Sequence, residues 1–456
     1  MTVHRSPEER KADGKELRES VPRSSHGDWS PSTDRPDPVE MITSQDADRV
    51  QALVPIRHGR MAVSPFTFYR GAAKIMASDL ASTSSSGLTA QLCGDAHLAN
   101  FGSYASPDRR QVFDVNDFDE TLPGPWEWDL KRLATSFVLA GRDNGLDESG
   151  IKAATTESVA SYRQAMAEYA SRRTLEVWYA QATLDQIIAA TPKKKHRQRI
   201  SKAAAKAQSK DSLKALSKLA EHVDGTYRIK SQPPLLLPLR ELTQSMEPDA
   251  LREQVINTLE SYRNTLADNR RVLFDRFELV DIALKVVGVG SVGTRCMIVL
   301  FQGRDQDDPL FLQIKEAESS VLEDHLPKSQ YEEHGERVVR GQRLMQASSD
   351  IFLGWETVPD KHHYYWRQFH DMKGSADVAS MGATRLRNYA TVCGATLAHA
   401  HARSADTIAI AGYLGSGDTF DHAVTEFALT YADQNDRDYA AFIAAIDNGH
   451  IEAADG

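Results

Sequence analysis

The chain has 456 residues, 41% of them hydrophobic and 26% charged, a balance that suits a soluble globular protein too long for one simple core. Its formal charge of −10 argues against a general nucleic-acid binder. No apolar run reaches the length of a membrane span and the polar N-terminus has no signal-peptide core, so no membrane partner is expected. Three dispersed cysteines (Cys93, Cys296, Cys393) offer neither a disulfide framework nor metal-ligand spacing, so a reducing cytoplasm is the expected home.

Residues 1–45 are rich in Ser, Pro and charge and poor in large apolar side chains, which predicts a disordered leader. The folded part begins near Arg57. Ser64-Pro65 is a helix start, with Ser as cap and Pro at the first helical position. Phe66, Phe68, Tyr69, Ile75, Met76 and Leu80 then supply an apolar face. Arg70, beside the aromatics, is either a packing residue or a contact for a phosphate. After the turn at Ser82–Gly87, Leu88 to Leu92 is a predicted strand.

That strand feeds the loop Gly94-Asp95-Ala96-His97-Leu98-Ala99-Asn100. A predicted β-hairpin follows, residues 99–104 and 111–115 about a polar turn at 106–110. Its second strand delivers Asp117-Phe118-Asp119. Phosphoryl transfer needs these pieces in this order. A loop Asp accepts the proton of the attacking hydroxyl, a nearby Asn ligates Mg²⁺, and an Asp beyond a hairpin holds the Mg²⁺ on the nucleotide phosphates. The ordinary alternative is a polar turn whose carboxylates cap loops.

Pro123-Gly124-Pro125 breaks the chain before a helix over Leu130–Gly141, where Asp129 is placed to cap that helix or orient the loop. Residues 150–225 are helical by composition. They include the basic run Lys193–Arg199 and Lys202, Lys206, Lys210, Lys214 and Lys218, four apart and so expected along one helix face. A solvated surface is the usual explanation; a site for an anionic partner is the sharper one. Pro233 to Pro238 is linker-like, and Leu251–Arg271 is a predicted amphipathic helix.

Strand patterns then take over. Residues 277–287 lead into Gly288-Val289-Gly290-Ser291-Val292-Gly293, and residues 294–301 continue as a β-branched, apolar strand. A dinucleotide-binding loop would continue as a helix. A strand–glycine loop–strand hairpin instead has the shape that covers ATP phosphates, with glycine letting backbone amides approach closely. The strand Leu310–Lys315 ends in Ile-Lys, and Lys315 is the candidate partner of the α/β-phosphates; otherwise it is a lysine guarding a sheet edge. Glu336 is the favoured carboxylate partner of Lys315, with Glu332, Glu333, Glu316 and Glu318 as further candidates. Tyr364–Phe369 is a strand that could receive adenine, Leu386–His401 a helix, and Thr419–Ala445 helical scaffold. His399 and His401, two apart on a helix, point to different faces and are expected to be structural.

On these residues the chain resembles a known superfamily. Gly94-Asp95-x-His97-x-x-Asn100 looks like the catalytic loop of aminoglycoside and choline phosphotransferases of the protein-kinase-like fold. Asp117-Phe118-Asp119 resembles their metal-binding D-F-G or D-F-D element, and Trp128-Asp129-Leu130 the W-D-L that opens the next helix. Leu397-Ala398-His399-x-His401 resembles the helix that precedes their catalytic loop. Over roughly residues 45–450 the chain also resembles the uncharacterised bacterial family called domain of unknown function 2252, through Arg60-Met61-x-x-Ser64-Pro65-Phe66, the Gly94 loop and the glycine-rich segment.

The resemblance implies an α+β, two-lobed, kinase-like fold. Because Gly288–Lys315 follow Asp95–Asp117, the order is circularly permuted, which is tolerable where old termini lie close on the surface. The expected organisation is a disordered leader (1–45), the large lobe with catalytic loop and metal-binding segment (46–270), a small antiparallel β lobe clamping the nucleotide (271–375), and closing large-lobe helices (376–456). The expected activity is ATP- and Mg²⁺-dependent transfer of the γ-phosphate to a hydroxyl of a small molecule, with the basic run hinting at an anionic acceptor. Asp95 is the expected base; Asn100, Asp117 and Asp119 the metal ligands; Gly288, Gly290, Ser291, Gly293, Lys315 and Glu336 the nucleotide-binding set. The alternatives are a nucleotide-binding pseudokinase that regulates a partner, and a metal-dependent hydrolase built on Asp95, His97, Asp114 and Asp117.

Overall fold

A computed structural model describes residues 5–191, 193–242, 248–286, 288–357, 362–369 and 371–454. It is mixed α+β, with antiparallel sheets throughout.

The expected disordered leader is instead helical and packed. Ser6 caps the helix Pro7–Ser20 in a capping box with Glu9. That helix lies against the helix Thr407–Leu414, so closely at Gly14 that a Cβ there would stand 2.0 Å from the Ala409 carbonyl oxygen. Arg18 Nε donates to the Tyr413 carbonyl at 2.8 Å. His26 is fully buried against Phe420, and Trp29 packs on Tyr431. Arg35 joins Asp79 at 2.8 Å and Asp438 at 2.6 Å. Composition misleads here because a few aromatic and charged side chains, each with a partner elsewhere in the chain, replace a run of apolar ones.

Ser64 caps the helix Pro65–Gly71, and the helix Ala73–Leu80 continues to β1 (Thr89–Leu92). β2 (Phe101–Ala105) and β3 (Gln111–Val115) form the predicted hairpin. The Pro-Gly-Pro segment lies within β4 (Leu122–Pro125), which pairs with β1. The helix Trp126–Asp143 is buried from Trp126 to Gly141. Around it the helices Glu148–Ser171, Ala383–Ala402 and Thr419–Asp447 close the main core through Leu130, Phe137, Tyr162, Leu397 and Phe427.

A second layer follows in sequence. After the short hairpin β5 (Ala220–Val223) and β6 (Thr226–Ile229) come β7 (Leu236–Pro238), β8 (Glu278–Lys285), β9 (Cys296–Gln302), β10 (Pro309–Ala317), β11 (Gly354–Thr357) and β12 (His363–Gln368). β7 to β12 form one sheet in the order 11-12-10-9-8-7. Alternate residues of β9 serve opposite faces, as the strand period of two requires. Ile298 and Leu300 meet Leu216 and Leu219 of the helix Ser212–Leu219, whereas Val299 and Phe301 meet Tyr262 and Phe274 of the helices Pro248–Thr265 and Asp268–Phe274. The β layer therefore recruits helices from about residue 212, well before the expected boundary at 271. It also gives residues back: the helix His334–Met345 enters the main core through Val338, Val339 and Met345, and β13 (Gly374–Ser375) pairs with β2.

The basic stretch is exposed but is not one helix. Lys194–Gln208 ends before Ser209, and Asp211 caps a new helix by accepting from Lys214 N at 2.8 Å. The break takes Lys214 and Lys218 off the expected common face.

Candidate active site: two carboxylate loops beneath a glycine hairpin

β1 ends at Leu92, and the chain turns sharply at Gly94, whose φ is +82°. A Cβ there would stand 2.2 Å from the Glu120 carbonyl oxygen, so both the backbone conformation and the close approach require glycine. Asp129, buried at the start of the next helix, holds this turn. Its two oxygens accept from Cys93 N at 2.8 Å and Gly94 N at 3.0 Å. His401 Nε2 lies 3.2 Å from the same carboxylate, and Tyr162 OH lies 2.9 Å from His401 Nδ1. His401 thus orients Asp129, which orients the loop. His399 bonds elsewhere, to the Val177 carbonyl, so the two histidines serve different partners.

Asp95 projects from the seated loop. Arg132 Nε donates to its Oδ1 at 2.6 Å, and His97 Nε2 lies 3.6 Å from Oδ2. Burial pushes the His97 imidazole down to about 4, so the ring is neutral near pH 7 and Arg132 is the cation bonded to Asp95. Asn100 Nδ2 donates to the Asp95 carbonyl at 2.8 Å, which leaves Oδ1 as the amide's free-handed acceptor.

The hairpin register explains why Asn100 and Asp117 meet. Phe101 pairs with Val115, and Asn116 N donates to the Asn100 carbonyl at 3.0 Å. Asn100 and Asp117 therefore stand at the two open ends of β2 and β3, and both line one cavity.

Lys315 lies on β10, an interior strand between β9 and β12, and is 3% exposed, which excludes a lysine guarding an edge. Its Nζ is 3.8 Å from Asp117 Oδ1 and forms an ion pair with Asp119 Oδ2. Tyr365 OH donates to Asp119 Oδ1 at 2.8 Å. Both Asp119 oxygens are thus engaged, an arrangement that suits a residue positioning Lys315 better than a metal ligand. Glu336 does not meet Lys315; it pairs with Arg340 one helical turn on. Glu316 pairs with Arg295 and His362, and Glu333 with His363. What the helix His334–Met345 contributes is Arg337. Its guanidinium donates to the carbonyls of Thr121, Asp119 and Glu318, each at 2.7 Å, and so fixes the backbone of the second carboxylate loop.

β8 and β9 pair as the two strands of the predicted glycine hairpin, with Leu284 opposite Met297. Gly288 and Gly293 have φ of +73° and +91°. The loop is tied to the N-terminal third of the chain: Arg60 donates to the Gly288 carbonyl at 2.8 Å, Val50 N to the Gly293 carbonyl at 2.8 Å, and Arg49 to the Val292 carbonyl at 2.6 Å.

Gly288, Ser291 and Asp117 lie between two cavities and line both. The larger, about 420 Å³, includes Lys315, Gln313, Arg367, Phe369 and Lys373. The smaller, about 120 Å³, includes Arg70, Asp95, Asn100, Asp117, Asp119 and Gly290. Burial alone would raise Asp117, but Lys315 and then Arg367 and Lys373 outweigh it and hold the carboxyl below its usual range. Arg367, followed by burial, pushes Lys373 down to about 7. Asp117 and Asn100 line the same cavity and bring oxygen donors of the kind a hard divalent cation takes alongside several waters, while no group of three or more His, Cys, Asp or Glu among the described residues could hold a metal. Asp114 lines neither cavity; it is buried on β3 and accepts from Val115 N.

Sequence reasoning missed Arg337, Tyr365 and Arg132. Only Arg132 carried a signal, through its place in the helix opened by Trp128-Asp129; the other two act on Asp119 from more than 200 residues away.

Residues 49–445 match the family described as uncharacterized protein conserved in bacteria, domain of unknown function 2252, and the chain belongs to it. No curated protein and no solved structure matches the chain.

Proposed function

We propose that this member of domain of unknown function 2252 is an ATP- and Mg²⁺-dependent phosphotransferase with a circularly permuted kinase-like arrangement, acting on a hydroxyl of a small molecule. One observation carries this most: Lys315 Nζ stands 3.8 Å from Asp117 Oδ1 beneath the glycine hairpin. Two segments far apart in sequence, each suited to one half of nucleotide handling, share one cleft.

In this scheme the larger cavity takes the nucleotide and the smaller takes the acceptor, with the glycine loop over the phosphates between them. Lys315 and the backbone of Gly288–Gly293 bind the phosphates. Asn100 and Asp117 would hold Mg²⁺, which when bound neutralises charge on the phosphate oxygens. Asp119 keeps Lys315 in place. Asp95 accepts the proton of the acceptor hydroxyl as its oxygen bonds to the γ-phosphorus and the bond to the departing ADP oxygen breaks. Arg132 holds the Asp95 carboxylate in place for that role.

The hydrolase alternative is weakened because Asp114 is outside the cleft. A pseudokinase would share the cleft and differ only in turnover.

The test is thermal unfolding of wild type, Lys315→Ala and Asp117→Ala with ATP, with and without Mg²⁺. Ligand at about 100 times its dissociation constant stabilises by roughly 2.7 kcal/mol. A Mg²⁺-dependent rise in Tm for wild type, weakened in both variants, supports the assignment. No rise with any nucleotide rejects it. Binding with no turnover across a screen of hydroxylated acceptors favours the pseudokinase.

A further inference from the structure

Arg49, Arg57 and Arg70 line the smaller cavity, and the first two are committed. Arg49 donates to the Val292 and Gln45 carbonyls. Arg57 is bound to Asp46 at 2.7 Å. Arg132 and Arg337, which do not line it, are bound to Asp95 and to three carbonyls. Arg70 differs. It lies in the last turn of the helix Pro65–Gly71, and where Arg57 and Arg337 also leave a buried Nε unpartnered but bond through their other nitrogens, the Arg70 side chain makes no hydrogen bond at all among the described residues. Nor does its guanidinium form an ion pair among them. A cation drawn partly out of water without a partner is costly, and such a group is retained where an anion completes the site.

The position of Arg70 says which anion. It shares the cavity wall with Asp95, Asn100 and Asp117. Its carbonyl lies beneath the tip of the glycine loop, 3.0 Å from where a Cβ on Gly290 would stand. Asp95 and Asp117 both act on its charge, against the burial that lowers its pKa. It therefore sits where the donor side and the acceptor side of the cleft meet. A charged group of the acceptor would lie deeper in the smaller cavity, toward Gln45 and Arg57, whereas the migrating phosphoryl group must pass between Asp117 and Asp95.

Resting on the phosphotransferase assignment above, we propose that Arg70 binds the equatorial oxygens of the phosphoryl group in transit, as a catalytic cation built into the first helix of the site. A planar guanidinium fork matches two such oxygens at once. Arg70 forms and breaks no bond. It offsets the charge on the oxygens while the acceptor oxygen bonds to phosphorus and the ADP oxygen leaves.

The experiment uses the full-length protein with Mg²⁺, ADP and aluminium fluoride, whose complex with ADP mimics the planar phosphoryl group. ADP affinity is measured by calorimetry with and without aluminium fluoride for wild type, Arg70→Ala and Arg70→Lys. In wild type the fluoride complex should tighten ADP binding. Arg70→Ala should bind ADP within about twofold of wild type and lose about 10²–10³-fold of the tightening, the scale of deleting one donor to transition-state charge. Arg70→Lys retains a cation at the cavity wall and guards against a folding defect; it should recover part of the tightening. Full tightening in Arg70→Ala overturns the assignment while leaving the phosphotransferase intact. Loss of ADP binding itself in both variants makes Arg70 part of the nucleotide pocket and also overturns it. Failure of wild type to bind ADP removes the phosphotransferase and this role together.

Discussion

Lys315 Nζ stands 3.8 Å from Asp117 Oδ1 and is ion-paired with Asp119, so one buried cation faces two carboxylates that are each roughly a quarter exposed. Removing one partner of a buried pair costs about 3–5 kcal/mol, and the partial exposure of these carboxylates favours the lower end. Lys315→Met is therefore expected to lose about 3 kcal/mol in urea unfolding. Adding Asp119→Asn should restore part of it, because one of the two opposed charges is gone. A double-mutant coupling below about 0.5 kcal/mol would mean that the two residues act independently.

Asp129 accepts from two backbone amides of the Asp95 loop and faces His401. Asp129→Ala strands Cys93 N and Gly94 N, at about 1–3 kcal/mol for each unsatisfied buried group. The variant should unfold at clearly lower urea than wild type and lose protection from hydrogen exchange at residues 93–100 first. Uniform loss of protection across the chain would deny Asp129 a local role.

Asp114 supplies a pH test. Burial raises its carboxyl to about 7, so the folded state keeps the proton that the unfolded chain releases near 4. A raised acid contributes stability that is present below its unfolded pKa and is lost as pH rises through the folded one. Asp114→Asn cannot ionise and keeps an acceptor for Val115 N. Its stability relative to wild type should rise between about pH 4 and pH 7 and level off above, by at most about 4 kcal/mol. A difference that stays flat over that range would show that Asp114 ionises normally.

Arg35 lies between two almost fully buried carboxylates, Asp79 and Asp438. Arg35→Met should destabilise the whole molecule by about 3–5 kcal/mol, although the residue lies in a segment whose composition looks dispensable. Urea unfolding of Arg35→Met that matched wild type would show the leader to be an ornament on an independently stable body.

Much of the cleft was legible because its parts are local. A hairpin with an Asn before it and an Asp after it is short enough to read from turn residues and strand alternation, and the same holds for the glycine hairpin ahead of Lys315. Asp129 was legible from its place at a helix start. What escaped is long-range. The choice of Asp119 over Glu336 as partner of Lys315 depends on how the β layer sits on the hairpin, which no spacing records. Arg337 looks like any helical arginine until three carbonyls converge on it. The leader escaped because its order comes from charge pairs and aromatic contacts with residues near 410–440, none visible locally.

The ties of the glycine loop to Val50 and Arg60, and of the Asp95 loop through Asp129 to His401, have a consequence for biosynthesis. Each hairpin closes on neighbouring residues and can form as the chain emerges, but the cleft needs both ends of the polypeptide at once. Long-separation contacts form late and slow folding. A chain released before residue 401 would carry every charged group of the cleft except one buttressing histidine, yet Trp29, His26 and Arg35 would lack the surfaces they cover. Premature termination thus leaves the N-terminal segment without the surfaces it packs on, and the last helices are the step that closes the fold.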